Sequence, residues 1–132
     1  MTFKEMVRAA ITGEMEDISA CETDVETFEN VPGWERLSGL YGRLAAEKRE
    51  RLLELGKIFR EGTGFRQRRI EPSRSLEASL RARAVRAERA AAVYAGLIKA
   101  MNKPEYKEAM RALAERERAL LAEIRELQAS GK

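Results

Sequence analysis

Three breaks punctuate this 132-residue sequence, and between them lie four stretches in which apolar residues return every three to four positions. The breaks are Pro32-Gly33, the run from Arg60 to Arg74 with Gly62, Gly64 and Pro72, and Asn102-Lys103-Pro104. A repeat near 3.6 places one face of a helix against a core, whereas a strand needs a repeat of two. The spacing therefore predicts helices over residues 3–28, 34–59, 75–101 and 104–128. The stripes include Val7, Ile11, Ile18 and Cys21 on the first, and Leu37, Tyr41, Leu44, Leu52 and Leu55 on the second. The third carries Leu80, Ala84, Tyr94 and Ile98, and the fourth Met110, Leu113, Leu120 and Ile124. Thr2 followed by Glu5 is a capping-box start, and Pro104 suits the first position of the last helix. Each helix runs to roughly 25 residues, about 38 Å at 1.5 Å per residue.

Four such helices in one short chain imply an all-α fold, an antiparallel four-helix bundle forming a single domain over residues 1–132. Two connections are short turns. The third, 60–74, is long enough to cross the bundle and let the second and third helices run parallel. The hairpins also echo each other, LAAEKRERLLEL (44–55) against LAERERALLAEI (113–124), as a duplicated hairpin does.

Composition narrows the chemistry. Histidine is absent, which excludes Ser-His triads, imidazole acid–base catalysis and His-ligated zinc or iron sites. Cys21 is the only cysteine, so no internal disulfide can form. No stretch reaches the roughly 20 apolar residues of a membrane span, and the first 16 residues lack a signal-peptide core; a cytoplasmic protein is expected. The net charge of +3 is modest. Arginines gather from Arg66 through Arg68, Arg69 and Arg74 to Arg81, Arg83, Arg86 and Arg89. Phe65 is their one aromatic companion and Glu71, Glu77 and Glu88 dilute them, so a solvated face is expected and nucleic acid is not an expected partner.

The order and spacing of AAITGE (9–14), LAAEKRERL (44–52), AVYAGL (92–97), PEYKEAM (104–110) and LAERERALL (113–121) resemble the rubrerythrin-type branch of the ferritin-like superfamily. The resemblance covers nearly the whole chain. It implies a ferritin-like bundle in which each hairpin offers one glutamate from its first helix and Glu-x-x-His from its second, six side chains around two metal ions. Carried over, Glu14 and Glu117 keep their carboxylates. Lys48 and Arg51 stand at the Glu-x-x-His pair of the second helix, Ala87 at the glutamate of the third, and Leu120 at the histidine of the fourth.

Helical geometry supports this alignment. Tyr41, Leu44, Leu55 and Phe59 lie within about 50° of Lys48, whereas Glu47 is about 100° away. Two inward carboxylates need countercharge, which predicts a buried ion-pair cluster of Glu14, Lys48, Arg51 and Glu117 in a vestigial metal site. The expected protein is thus a metal-free or metal-poor, non-enzymatic ferritin-like bundle with a structural or binding role and no cofactor. The alternative is an all-carboxylate site of Glu14, Glu47, Glu50, Glu88 and Glu117 holding iron or manganese for iron handling or peroxide and O₂ chemistry. A homodimer is expected, with Trp34, Leu53, Val93 and Leu97 as spare apolar residues outside the central stripes, Trp34 packing either over the bundle end or in the dimer contact. Cys21 is expected to be an inert core thiol.

Overall fold

The computed structural model describes residues 2–131. It contains four helices: α1 (Phe3–Phe28), α2 (Glu35–Phe59), α3 (Leu76–Ala100) and α4 (Pro104–Ser130). No strand occurs among the described residues. The boundaries fall within two residues of those read from the apolar repeat, and local chemistry fixes them. Thr2 and Glu5 close a capping box on α1, the Ser75 hydroxyl accepts from the Ala78 N–H at the start of α3, and Pro104 opens α4. In the α1–α2 turn Gly33 adopts φ +94, a conformation that side chains other than glycine's oppose. At the end of α2, Arg60 takes the left-handed conformation and its N–H returns to the Gly56 carbonyl.

Contacts between distant residues define the topology. Glu14 meets Tyr94 and Asp24 meets Ser79, so α1 and α3 run antiparallel side by side. Arg36 meets Leu127 and Lys48 meets Glu117, so α2 and α4 do the same. The α2 and α3 directions therefore coincide, as the long connection predicts. Residues 60–75 return along α1. Thr63 lies on Gly56, where an added Cβ would meet its hydroxyl at 2.6 Å. Phe65 sits under the Arg49 guanidinium at 4.4 Å, the Arg68 N–H donates to Ser19 at 2.8 Å, and Ser73 reaches Asp24.

The core is split in two. One apolar cluster gathers Val7, Ile11, Leu55, Leu97, Met110 and Leu113 at one end; the other gathers Phe28, Trp34, Leu37, Leu80 and Ile124 at the opposite end. Between them lies a layer of buried charge. Two expectations need correction here. Trp34, 8% exposed, stacks edge-on against Tyr41 and packs over the bundle end, one of its two expected places; Leu97, 0% exposed, continues the Tyr94 face of α3 and is not spare surface. Leu53 is exposed and Val93 half-buried. Arg83, expected on a solvated face, is only 2% exposed, since Leu80, Arg83, Ala87 and Tyr94 share one stripe of α3.

Candidate functional site

The apolar repeats of α1, α2 and α4 are interrupted at the same level by charged residues, and these charges meet. On α1, Glu14 follows Ile11 on the inward stripe; on α2, Lys48 and Arg51 stand between Leu44 and Leu55; on α4, Glu117 follows Leu113. All four are at most 2% exposed. The Lys48 ammonium lies 3.1 Å from Glu14 Oε2, 2.7 Å from Glu117 Oε1 and 2.6 Å from Asp17 Oδ2. The Arg51 guanidinium donates to Glu117 and reaches Glu14 at 3.3 Å. Its second amino group bonds Glu47 at 3.1 Å. The four residues of the expected cluster are thus brought together.

Asp17 and Tyr94 complete the layer and were not anticipated. Asp17 is one turn beyond Glu14 and 4% exposed; the Tyr94 hydroxyl donates to Glu14 Oε1 at 2.8 Å. Arg86 approaches Asp17 at 3.5 Å from the rim. Counted by direct ion pairs, three carboxylates, Glu14, Asp17 and Glu117, therefore balance three cations, Lys48, Arg51 and Arg86, while the buried Arg83 adds a positive charge farther from Asp17. That balance makes burial tolerable, because each ion would otherwise lose several kcal/mol of hydration uncompensated.

The titration behaviour follows from the same contacts. Burial alone would raise the Asp17 carboxyl, yet Lys48, Arg83 and Arg86 outweigh it and hold the group below its ordinary 3.8. Burial would lower Lys48, but Glu14, Asp17 and Glu117 reverse this and keep the ammonium charged well beyond its ordinary range. Burial and the neighbouring Glu14 push the Tyr94 phenol well above 10.0.

Of the all-carboxylate alternative, Glu14 and Glu117 meet in the layer, while Glu47, Glu50 and Glu88 stand apart. Glu50 and Glu88 are exposed, Glu88 pairing with Arg125 on the surface at 3.1 Å. Glu47 is half-exposed and reaches the layer only through Arg51. Ala87 is buried and brings no ligand, and Leu120 packs against the Trp34 end. One oxygen from each of Glu14, Asp17 and Glu117 lies within 4.8 Å of the others, a spacing compatible with a single cation. The donor set nevertheless does not fit a pair of metal ions: among the described residues only these three carboxylates converge, and an ammonium and a guanidinium already bind them.

A second polar group lies one to two turns away. Asp24 accepts from Ser79 at 2.6 Å and from Ser73 at 3.2 Å, and Ser79 bonds the Tyr41 hydroxyl. It ties α1, α2, α3 and the crossover together. Burial pushes the Tyr41 phenol up to about 12. Cys21 is fully buried beside this group, and burial raises its thiol above 9.0 despite the nearby Arg83, so it is not a poised nucleophile. Among the described residues no helix is long and apolar enough to cross a membrane. No family model, curated protein or solved structure matches the chain.

Proposed function

We propose that this chain is a ferritin-like bundle that has exchanged its metal ions for its own cations, and that it serves as a non-enzymatic structural or binding protein. The observation that carries the reading is the Lys48 ammonium ringed by three carboxylates at 2.6–3.1 Å. An ion that is part of the chain cannot be lost, exchanged or change oxidation state, so it holds the hairpins together without supplying redox or Lewis-acid chemistry. A reduced, buried Cys21 suits the cytoplasmic setting that belongs to the same reading. So does assembly into a homodimer, through the exposed Leu53 and Val85 rather than Trp34 or Leu97.

Metal analysis of protein purified after growth in iron- or manganese-supplemented medium tests it. The expected content is well under one ion per chain, with no visible di-iron absorption. A stoichiometric ion held by Glu14, Asp17 and Glu117, lost in the Glu117→Gln variant, would overturn the reading in favour of a carboxylate metal site.

A further inference from the structure

The chain's surplus of positive charge is not spread over the bundle. Residues 60–74 hold five arginines against two glutamates, a surplus of three, which equals the net charge of the whole chain. The rest of the molecule is balanced. Elsewhere many arginines pair with acids, as in Arg43–Glu123, Arg49–Glu22 and Arg125–Glu88, although among the described residues Arg36, Arg81, Arg83, Arg89 and Arg116 do not. Among the described residues none of the five crossover arginines makes a salt bridge, and neither does Arg8 on the adjoining face of α1.

Three of these unpaired cations share one groove. Arg8, Arg66 and Arg68 line a cavity of about 410 Å³ between α1 and the crossover, together with the Thr12 hydroxyl and the bare backbone of Gly62 and Gly64. Arg68 is half-buried and held in place, its N–H on Ser19 and its guanidinium against the Met15 sulfur at 3.6 Å, while its Nε is buried with no partner. A partly desolvated guanidinium without an anion is costly, so this side chain is positioned for a partner that the chain does not provide. Glu61 is the only acid in the lining, leaving a surplus of two positive charges.

We propose that this groove binds a small phosphate-bearing anion. Guanidinium forks match phosphate oxygens in pairs, a hydroxyl adds a donor, and glycines let the anion approach the backbone. The surplus of two positive charges attracts a dianionic group more strongly than a monocarboxylate. A polynucleotide fits poorly, because the one crossover aromatic, Phe65, is already covered by Arg49. The groove lies on the crossover side of α1 and is independent of the buried charge layer.

Pyrophosphate titrated calorimetrically into the full chain at moderate salt tests this, with phosphatidate-containing vesicles as a second arm. Saturable binding of one pyrophosphate per chain is expected, weakened about tenfold or more in Arg68→Gln and in Arg66→Gln. Arg111→Gln, on the far surface, should bind as the parent does. Arg66 is exposed, so its variant keeps the test open if Arg68→Gln fails to fold. Vesicle binding without pyrophosphate binding, lost in the same two variants, identifies a lipid headgroup as the source of the same chemistry. Absence of both, or an equal loss in Arg111→Gln, overturns the proposal.

Discussion

Replacing Lys48 with methionine removes the ammonium while keeping a side chain of similar length and apolar stem. Three contacts go at once, to Glu14, Asp17 and Glu117, all within 3.1 Å and at 1% exposure of the lysine side chain. Counted by direct ion pairs, the layer is left with three carboxylates against Arg51 and Arg86, one negative charge in excess. Removing one member of a buried ionic group costs about 3–5 kcal/mol, and the upper part of that range applies where three partners are stranded. With an m-value of about 1–3 kcal/mol/M, the urea midpoint should fall by at least about 1 M at neutral pH.

The deficit also carries a pH signature. A stranded carboxylate escapes by binding a proton, so its folded-state pKa rises above the unfolded value of about 4. Between those two values the folded protein binds more protons than the unfolded one, and stability falls as pH rises, by at most about 1.4 kcal/mol per unit for each proton. The variant should accordingly regain ground on the parent as pH drops towards 5. Adding Glu117→Gln removes the excess charge and should restore much of the loss, a coupling that a double-mutant cycle measures directly. Lys99→Met, on the exposed face of α3, should stay within about 0.5 kcal/mol of the parent. If Lys48→Met is neutral or stabilising at pH 7, Lys48 is not the required counter-ion and the argument from charge fails.

Two further outcomes follow from the buried titrating groups. Raised folded-state values at Lys48, Tyr41 and Tyr94 contribute stability that is whole below their ordinary 10.5 and 10.0 and is lost as pH climbs through the folded values; Asp17, held below 3.8, contributes stability that is lost only in stronger acid. Urea midpoints should be flat between about pH 5 and 9 and fall steeply above pH 10, and a midpoint that rises there refutes the assignment. Cys21 should react with a thiol reagent only as fast as the protein opens; rapid modification of the native protein at neutral pH shows instead that the thiol is accessible.

The legible part of this molecule is the part carried by one helix at a time. Lys48 and Arg51 could be placed inside because Leu44, Leu52 and Leu55 surround them on one helical face, and Glu14 and Glu117 because they continue their own stripes. Asp17 was not legible. It sits a little off the line of Glu14, Ile18 and Cys21, and what draws it inward is a lysine 31 residues away whose reach α1 alone does not reveal. Arg83 was hidden differently: it lies in an arginine-rich run that reads as surface, although its spacing from Leu80, Ala87 and Tyr94 marks the inward face. The course of residues 60–75 has no repeat to betray it and depends on Ser19 and Asp24, polar residues of α1 that hold its backbone.

The position of the charge layer explains why a bundle would keep charges where leucines would pack at least as stably. Buried ion pairs add little stability over apolar residues of the same shape, and their best-attested use is to fix register. Here the two apolar halves offer little to fix it, since both hairpins present similar leucine-rich faces, 44–55 and 113–124. Sliding α4 along α2 by one turn, about 5.4 Å, would exchange leucine for leucine at small cost. It would also carry Glu117 beyond the reach of Lys48 and Arg51 and leave bare charges in the core. The α2 and α4 backbones approach each other least of any neighbouring pair. Along this seam the connections are Arg36 to the Leu127 carbonyl, Arg43 to Glu123, and Lys48 with Arg51 to Glu117. Only the last is buried, and only there does a slip cost more than a surface ion pair is worth. The charge layer therefore sets the alignment of the two hairpins.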